Sequence, residues 1–149
     1  MALAKVGSLE LFRRAFHEVI VPMEVFDEVA VAGADSTDGA LIKEAVRNGW
    51  FRLHPAPAPA AEAWAGLDAG GTAAIRLAQT LRADAVLLDD MAARREALAL
   101  GLRVMGTLGI LLHAVELGTC PEAQALESLD RMQARKDIWL RRELMEAAC

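Results

Sequence analysis

The sequence predicts an α/β domain with a short, mostly parallel sheet. Three observations carry that expectation. Short apolar runs, HEVIVP (17–22), WFRLHP (50–55), AVLLDD (85–90) and LRVMGT (102–107), alternate with longer stretches of helical spacing. Glycines at 33, 49, 101 and 118 stand where those helical stretches should stop. The chain has 149 residues and is 54% apolar, enough for one packed core and for a single domain over 1–149.

Taken in order, residues 3–16 read as a helix, with Leu3, Leu9, Leu11, Phe12 and Phe16 toward the core. HEVIVP is a short buried strand. Its final Pro22 suits the first turn of the helix that follows, MEVFDEVAVAG. Ser36, Thr37 and Asp38 offer N-caps for ALIKEAVRN, and WFRLHP is the second strand. Each proline of PAPAPA (55–60) biases its predecessor toward extended backbone. LDAGGTAAIRLAQTLRA (67–83) is a loop entering a helix, with Thr72 available as a cap. AVLLDD is the third strand, MAARREALAL a helix, LRVMGT the fourth strand and LGILLHAVELG the next helix. From Pro121 the tail is helical, with a break expected near Lys136 and Asp137.

Several function classes are disfavoured. A net charge of −5 and a pI near 5.2 argue against gripping nucleic acid by bulk electrostatics. The densest basic stretch, RMQARKDIWLRR (131–142), is either a solvated helix face or a local RNA contact. No apolar run reaches membrane-spanning length, no secretory signal pattern is visible, and no membrane contact is expected. Cys120 and Cys149 lack metal or redox spacing, which points to a reducing cytoplasm. His17, His54 and His113 lie in different segments, without a zinc pattern or a nucleophile beside them.

The third strand ends in two adjacent aspartates. In α/β folds ligands sit at the carboxyl ends of the strands, and Asp89 and Asp90 fall there. Glu28 reaches the same edge if the helix after Pro22 packs back along the sheet. Clustered carboxylates favour a hard divalent cation, Mg²⁺ or Mn²⁺, which activates water for phosphodiester hydrolysis. Either aspartate could equally cap the helix beginning near Met91. Spacing alone leaves both roles open.

VIVPMEVFDEV, LDAGGTAAIRLA and ADAVLLDDMAARREALALGLRVMGTLGILLHAVELG together resemble the PIN-domain superfamily. The closest likeness is to an uncharacterised prokaryotic PIN-like branch related to the VapC toxins of VapBC toxin–antitoxin pairs. The resemblance implies a three-layer α/β/α sandwich and Mg²⁺- or Mn²⁺-dependent endoribonuclease activity (a hydrolase) built on three or four acidic residues. It assigns Glu28, Asp89 and Asp90 as the metal-binding, catalytic carboxylates, with Arg94 and Arg95 against RNA phosphate. The partners it implies are an RNA substrate and a small antitoxin-like protein.

Two positions depart from the family pattern. MALAKVGSLELF corresponds to a segment that in typical members follows a first strand ending in Asp or Asn, so that strand and its acid are absent here. Gly71 stands where the family has Glu. Asp68 is a nearby substitute or simply a turn residue. In the family the first strand lies centrally, so VIVP and VLLDD must either pair directly or leave a gap for another chain or solvent. Three functional readings follow: a PIN-like ribonuclease with weak or lost activity, a degenerate member acting through a protein partner or as a homo-oligomer, or the product of a mis-started or fragmentary gene that folds without a function of its own. The faces around Leu108–Val115 and around Leu9, Phe12 and Phe16 are candidate interfaces, or simply core.

Overall fold

A computed structural model of the chain describes residues 7–31, 37–57, 64 and 66–134. Its elements are α1 (Glu10–Ala15), β1 (Val19–Pro22), α2 (Met23–Phe26), α3 (Thr37–Arg47), β2 (Phe51–His54), α4 (Ala69–Leu81), β3 (Val86–Leu87), α5 (Met91–Ala99), β4 (Val104–Met105), α6 (Thr107–Glu116) and α7 (Glu122–Gln133). Helix α2 widens into a π-helical turn over Asp27–Val31 that buries Ala30 completely.

The order of elements and the α/β class are as the sequence predicts, with helices layered about short parallel strands. Four local readings change. The early helix is described only from Glu10; residues 3–6 of its expected span lie outside the described residues. Pro22 closes β1 and stands just before α2 instead of inside its first turn, where its extended ψ of 143° still serves the strand. Thr72 is inside α4; the cap is Asp68. Pairing of the third strand stops at Leu87, because the chain turns there to bring Asp89 and Asp90 to two helix starts. The caps proposed for α3, the end of PAPAPA and the expected break near Lys136 fall on residues or side chains outside the description.

The sheet is not continuous. β1 pairs in parallel with β2, setting Val19 opposite Phe51 and Pro22 opposite His54. β3 pairs in parallel with β4, setting Val86 opposite Val104. These are two separate two-stranded sheets; β1 and β3 do not pair with each other. Direct closure between VIVP and VLLDD therefore does not occur.

Two apolar clusters follow that division. The larger joins α1, β1, α3, β2, α6 and α7 around Leu11, Phe12, Ile42, Phe51, Leu111 and Met132. The smaller joins α4, α5 and β3 around Ile75, Val86, Ala93 and Ala97. Of the stretch flagged as a possible interface on α6, Ile110, Leu111 and Ala114 are core and Leu112 is exposed; Leu9, just before α1, and Phe12 on it are core, and Phe16 is half-buried. His113 packs at 5.6 Å against the Phe16 ring, and Cys120 is buried. Gly49 and Gly101 adopt left-handed φ of 71° and 76°, which accounts for helix stops at these two predicted points.

Phe51 is 2% exposed and meets Phe12 edge-on at 5.4 Å, so it links β2 to α1. Phe51→Ala should lower the unfolding free energy in urea by about 3–5 kcal/mol. A loss below about 1 kcal/mol would show that this ring is not central to the larger cluster.

Candidate functional site

Three helices, α4, α5 and α6, begin around the carboxyl ends of β3 and β4, and each start is capped by a carboxylate. The first four amides of a helix have no partner within it, so such starts need an acceptor. Asp68, in extended backbone, accepts the Gly71 amide at 2.6 Å and starts α4. Asp90 accepts the Ala93 amide at 2.8 Å and starts α5. Asp89 reaches across the chain to α6. One of its oxygens takes the Thr107 amide at 2.8 Å, and the other takes the Thr107 hydroxyl at 2.7 Å. Thr107 itself is buried, 4% exposed, and Asp89 satisfies its hydroxyl.

Arg94 lies beneath this arrangement. Its Nη1 donates to the Leu88 carbonyl at 3.1 Å, fastening α5 to the end of β3. Gly106 makes room for it, since a Cβ there would collide with that guanidinium and stand 3.4 Å from an Asp89 oxygen. Arg95 is exposed on the neighbouring face of α5. Of the two arginines expected to meet phosphate, one is thus half-buried and hydrogen-bonded to backbone, and the other is open to solvent.

Glu28 sits on the π-helical turn, exposed, with its carboxylate beside Gly70 at the start of α4. A Cβ on Gly70 would lie 3.2 Å from that carboxylate and 3.3 Å from Val25. A Cβ on Gly71 would lie 3.0 Å from Asp68 and 3.3 Å from the Ala93 methyl. The glycine pair therefore lets α4 approach α2 on one side and α5 on the other. Gly71 is a packing residue at the start of α4.

The expected metal set does not come together. Glu28 lies against α4, Asp89 is directed at Thr107 and Asp90 at the α5 amides. Among the described residues, no group of three or more acidic, histidine or cysteine side chains is placed to hold a metal ion. The residues present do not by themselves fit a Mg²⁺ or Mn²⁺ centre, because a hard cation needs several convergent oxygens to organise it. Sequence reasoning missed the Asp68 cap, which the pattern Asp-Ala-Gly-Gly ahead of a helix could have given. It also missed Thr107, whose bond to Asp89 spans 18 positions and leaves no local signal. The basic stretch at 131–142 lies mostly outside the described residues; its Arg131 is ion-paired with Glu127 on α7.

A family model described as PIN domain matches residues 1–149. The chain belongs to the PIN-domain family. No curated protein and no solved structure matches it. Within this PIN domain, no described helix is long and apolar enough to cross a membrane.

The caps can be weighed against each other. Asp90→Ala should destabilise the PIN domain by about 1 kcal/mol, the ordinary loss of a helix cap. Asp89→Ala should cost more, about 2–3 kcal/mol, because a charge-assisted pair is lost and the buried Thr107 hydroxyl is left unpaired. Equal, negligible losses in thermal melts would contradict the capping roles.

Proposed function

We propose that this chain is a PIN domain of VapC-like, toxin–antitoxin lineage in which Mg²⁺- or Mn²⁺-dependent endoribonuclease activity is weak or lost. The observation that carries the reading is the commitment of the strand-end carboxylates. Asp89 and Asp90 both serve helix starts, and no third acid meets them among the described residues. Glu28, Asp89 and Asp90 are the residues that would face a metal, and Arg94 and Arg95 those nearest an RNA phosphate. We place the protein in the cytoplasm.

Gly71→Glu would set a Cβ 3.0 Å from the Asp68 carboxylate and 3.3 Å from the Ala93 methyl, so these neighbours would have to give by a few tenths of an ångström to accept it.

The second reading is that the domain acts by association, with an antitoxin-like protein or a second copy. The break between the two strand pairs favours it, because exposed strand edges are templates for another chain.

Calorimetric titration of Mn²⁺ at low salt, on the parent and on the double variant Asp89→Asn with Asp90→Asn, tests the first reading. The expected result is no saturable binding by either, and no Mn²⁺-dependent cleavage of a single-stranded RNA. Saturable binding by the parent that the double variant loses, together with RNA cleavage, would establish a working metal centre and overturn the reading of lost activity.

A further inference from the structure

Arg94 stands where a helix does not favour a cation. It closes the first turn of α5, which begins at Met91, and the amide end of a helix carries partial positive charge. It is also half-buried, and a charge withdrawn from water needs compensation. One neutral partner is on hand, the Leu88 carbonyl, which accepts from Nη1 at 3.1 Å. A single carbonyl does not balance a full positive charge.

A balancing charge lies across Gly106. A Cβ on Gly106 would collide with Arg94 Nη1 and stand 3.4 Å from Asp89 Oδ1. The guanidinium and the Asp89 carboxylate therefore face one notch, the space of a methyl group, which this glycine leaves open. Backbone conformation does not call for glycine there, since its φ of −104° suits any residue. Asp89 is exposed, and each of its oxygens accepts one hydrogen bond from Thr107, the amide at 2.8 Å and the hydroxyl at 2.7 Å. Those neutral donors orient the carboxylate. Each oxygen keeps a further lone pair, and the negative charge is left for a cation to answer.

We propose that Arg94 is the built-in counter-ion of the strand-end aspartates: lodged in the Gly106 notch, its guanidinium gives Asp89 the positive charge that a divalent cation would give, and repels that cation from the same edge. The proposal rests on the reading of weak or lost metal-dependent activity and names the group that keeps the cation out. Divergent carboxylates are poor at organising a catalytic centre. One or two of them can still hold Mg²⁺ or Mn²⁺ with most of its waters kept. A fixed positive charge beside Asp89 opposes even that.

The test is calorimetric titration of Mn²⁺ at low salt into the full 149-residue chain and its variants. Arg94→Met removes the charge and keeps much of the side-chain length. Gly106→Ala keeps every charge and only crowds the guanidinium out of the notch, so it serves if Arg94→Met fails to fold by circular dichroism. Asp89→Asn is then added to each. The parent should show no saturable binding. Arg94→Met and Gly106→Ala should each bind Mn²⁺ about tenfold or more tighter than the parent, and Asp89→Asn should remove the gain. An arginine that serves packing alone would lower the melting temperature on substitution and leave Mn²⁺ affinity where it was. No gain in the folded variants, or a gain that survives Asp89→Asn, overturns the proposal. The two readings fail differently. A parent that binds Mn²⁺ saturably and cleaves single-stranded RNA with it defeats both the counter-ion and the loss of activity. A parent that binds no Mn²⁺ and cleaves nothing, with variants that gain no affinity, defeats the counter-ion alone.

Discussion

Helix α4 holds the two strand pairs in one molecule. No ladder of backbone hydrogen bonds runs from β1 to β3, so side-chain packing must join the halves. Helix α4 packs on β1 and α2 on one flank and on β3 and α5 on the other. Ile75, fully buried, anchors it in the smaller cluster, while Leu77 faces the cavity beside β1. In its first turn a Cβ at Gly70 would lie 3.2 Å from the Glu28 carboxylate and 3.3 Å from Val25, and one at Gly71 would lie 3.0 Å from Asp68 and 3.3 Å from the Ala93 methyl, so these neighbours would have to give by a few tenths of an ångström.

At Gly71 the start of α4 lies against α5, and a Cβ there would stand 3.3 Å from the Ala93 methyl. The aspartates nearby take a complementary role. A carboxylate at a helix start satisfies orphan amides and the positive end of the helix dipole together. Asp68, Asp90 and Asp89 do this for α4, α5 and α6, so the acidic edge of the sheet is organised chiefly by the helices that begin there. An edge of this kind is pre-arranged for stability, and its geometry is divergent where a metal centre must be convergent.

The unclosed sheet is the other consequence. A parallel strand pair buried between helix layers normally continues into its neighbours, since edges leave main-chain donors and acceptors facing nothing. Among the described residues the interruption falls between β1 and β3, beside Ala74 and Leu77 of α4 and Thr107, Ile110 and His113 of α6. Asp89 lines this gap and also accepts the first amide of α6.

The sequence by itself determined the elements and their order. The apolar runs HEVIVP, WFRLHP, AVLLDD and LRVMGT each contain one of the four strands, and Gly49, Gly101 and Gly118 end helices because left-handed backbone there favours glycine. It also placed Asp89 and Asp90 just beyond a strand end. Only the tertiary structure decided what those aspartates do. The Asp90 cap lies three residues away and was legible as an alternative; the Asp89 bond to Thr107 joins two segments that the sequence does not relate. The packing role of Gly71 was likewise out of reach, because the clearance between α4 and Ala93 leaves no mark in a string of letters. Local pattern encodes periodicity and capping, whereas convergence of carboxylates and clearance between helices depend on distances between segments far apart in the chain.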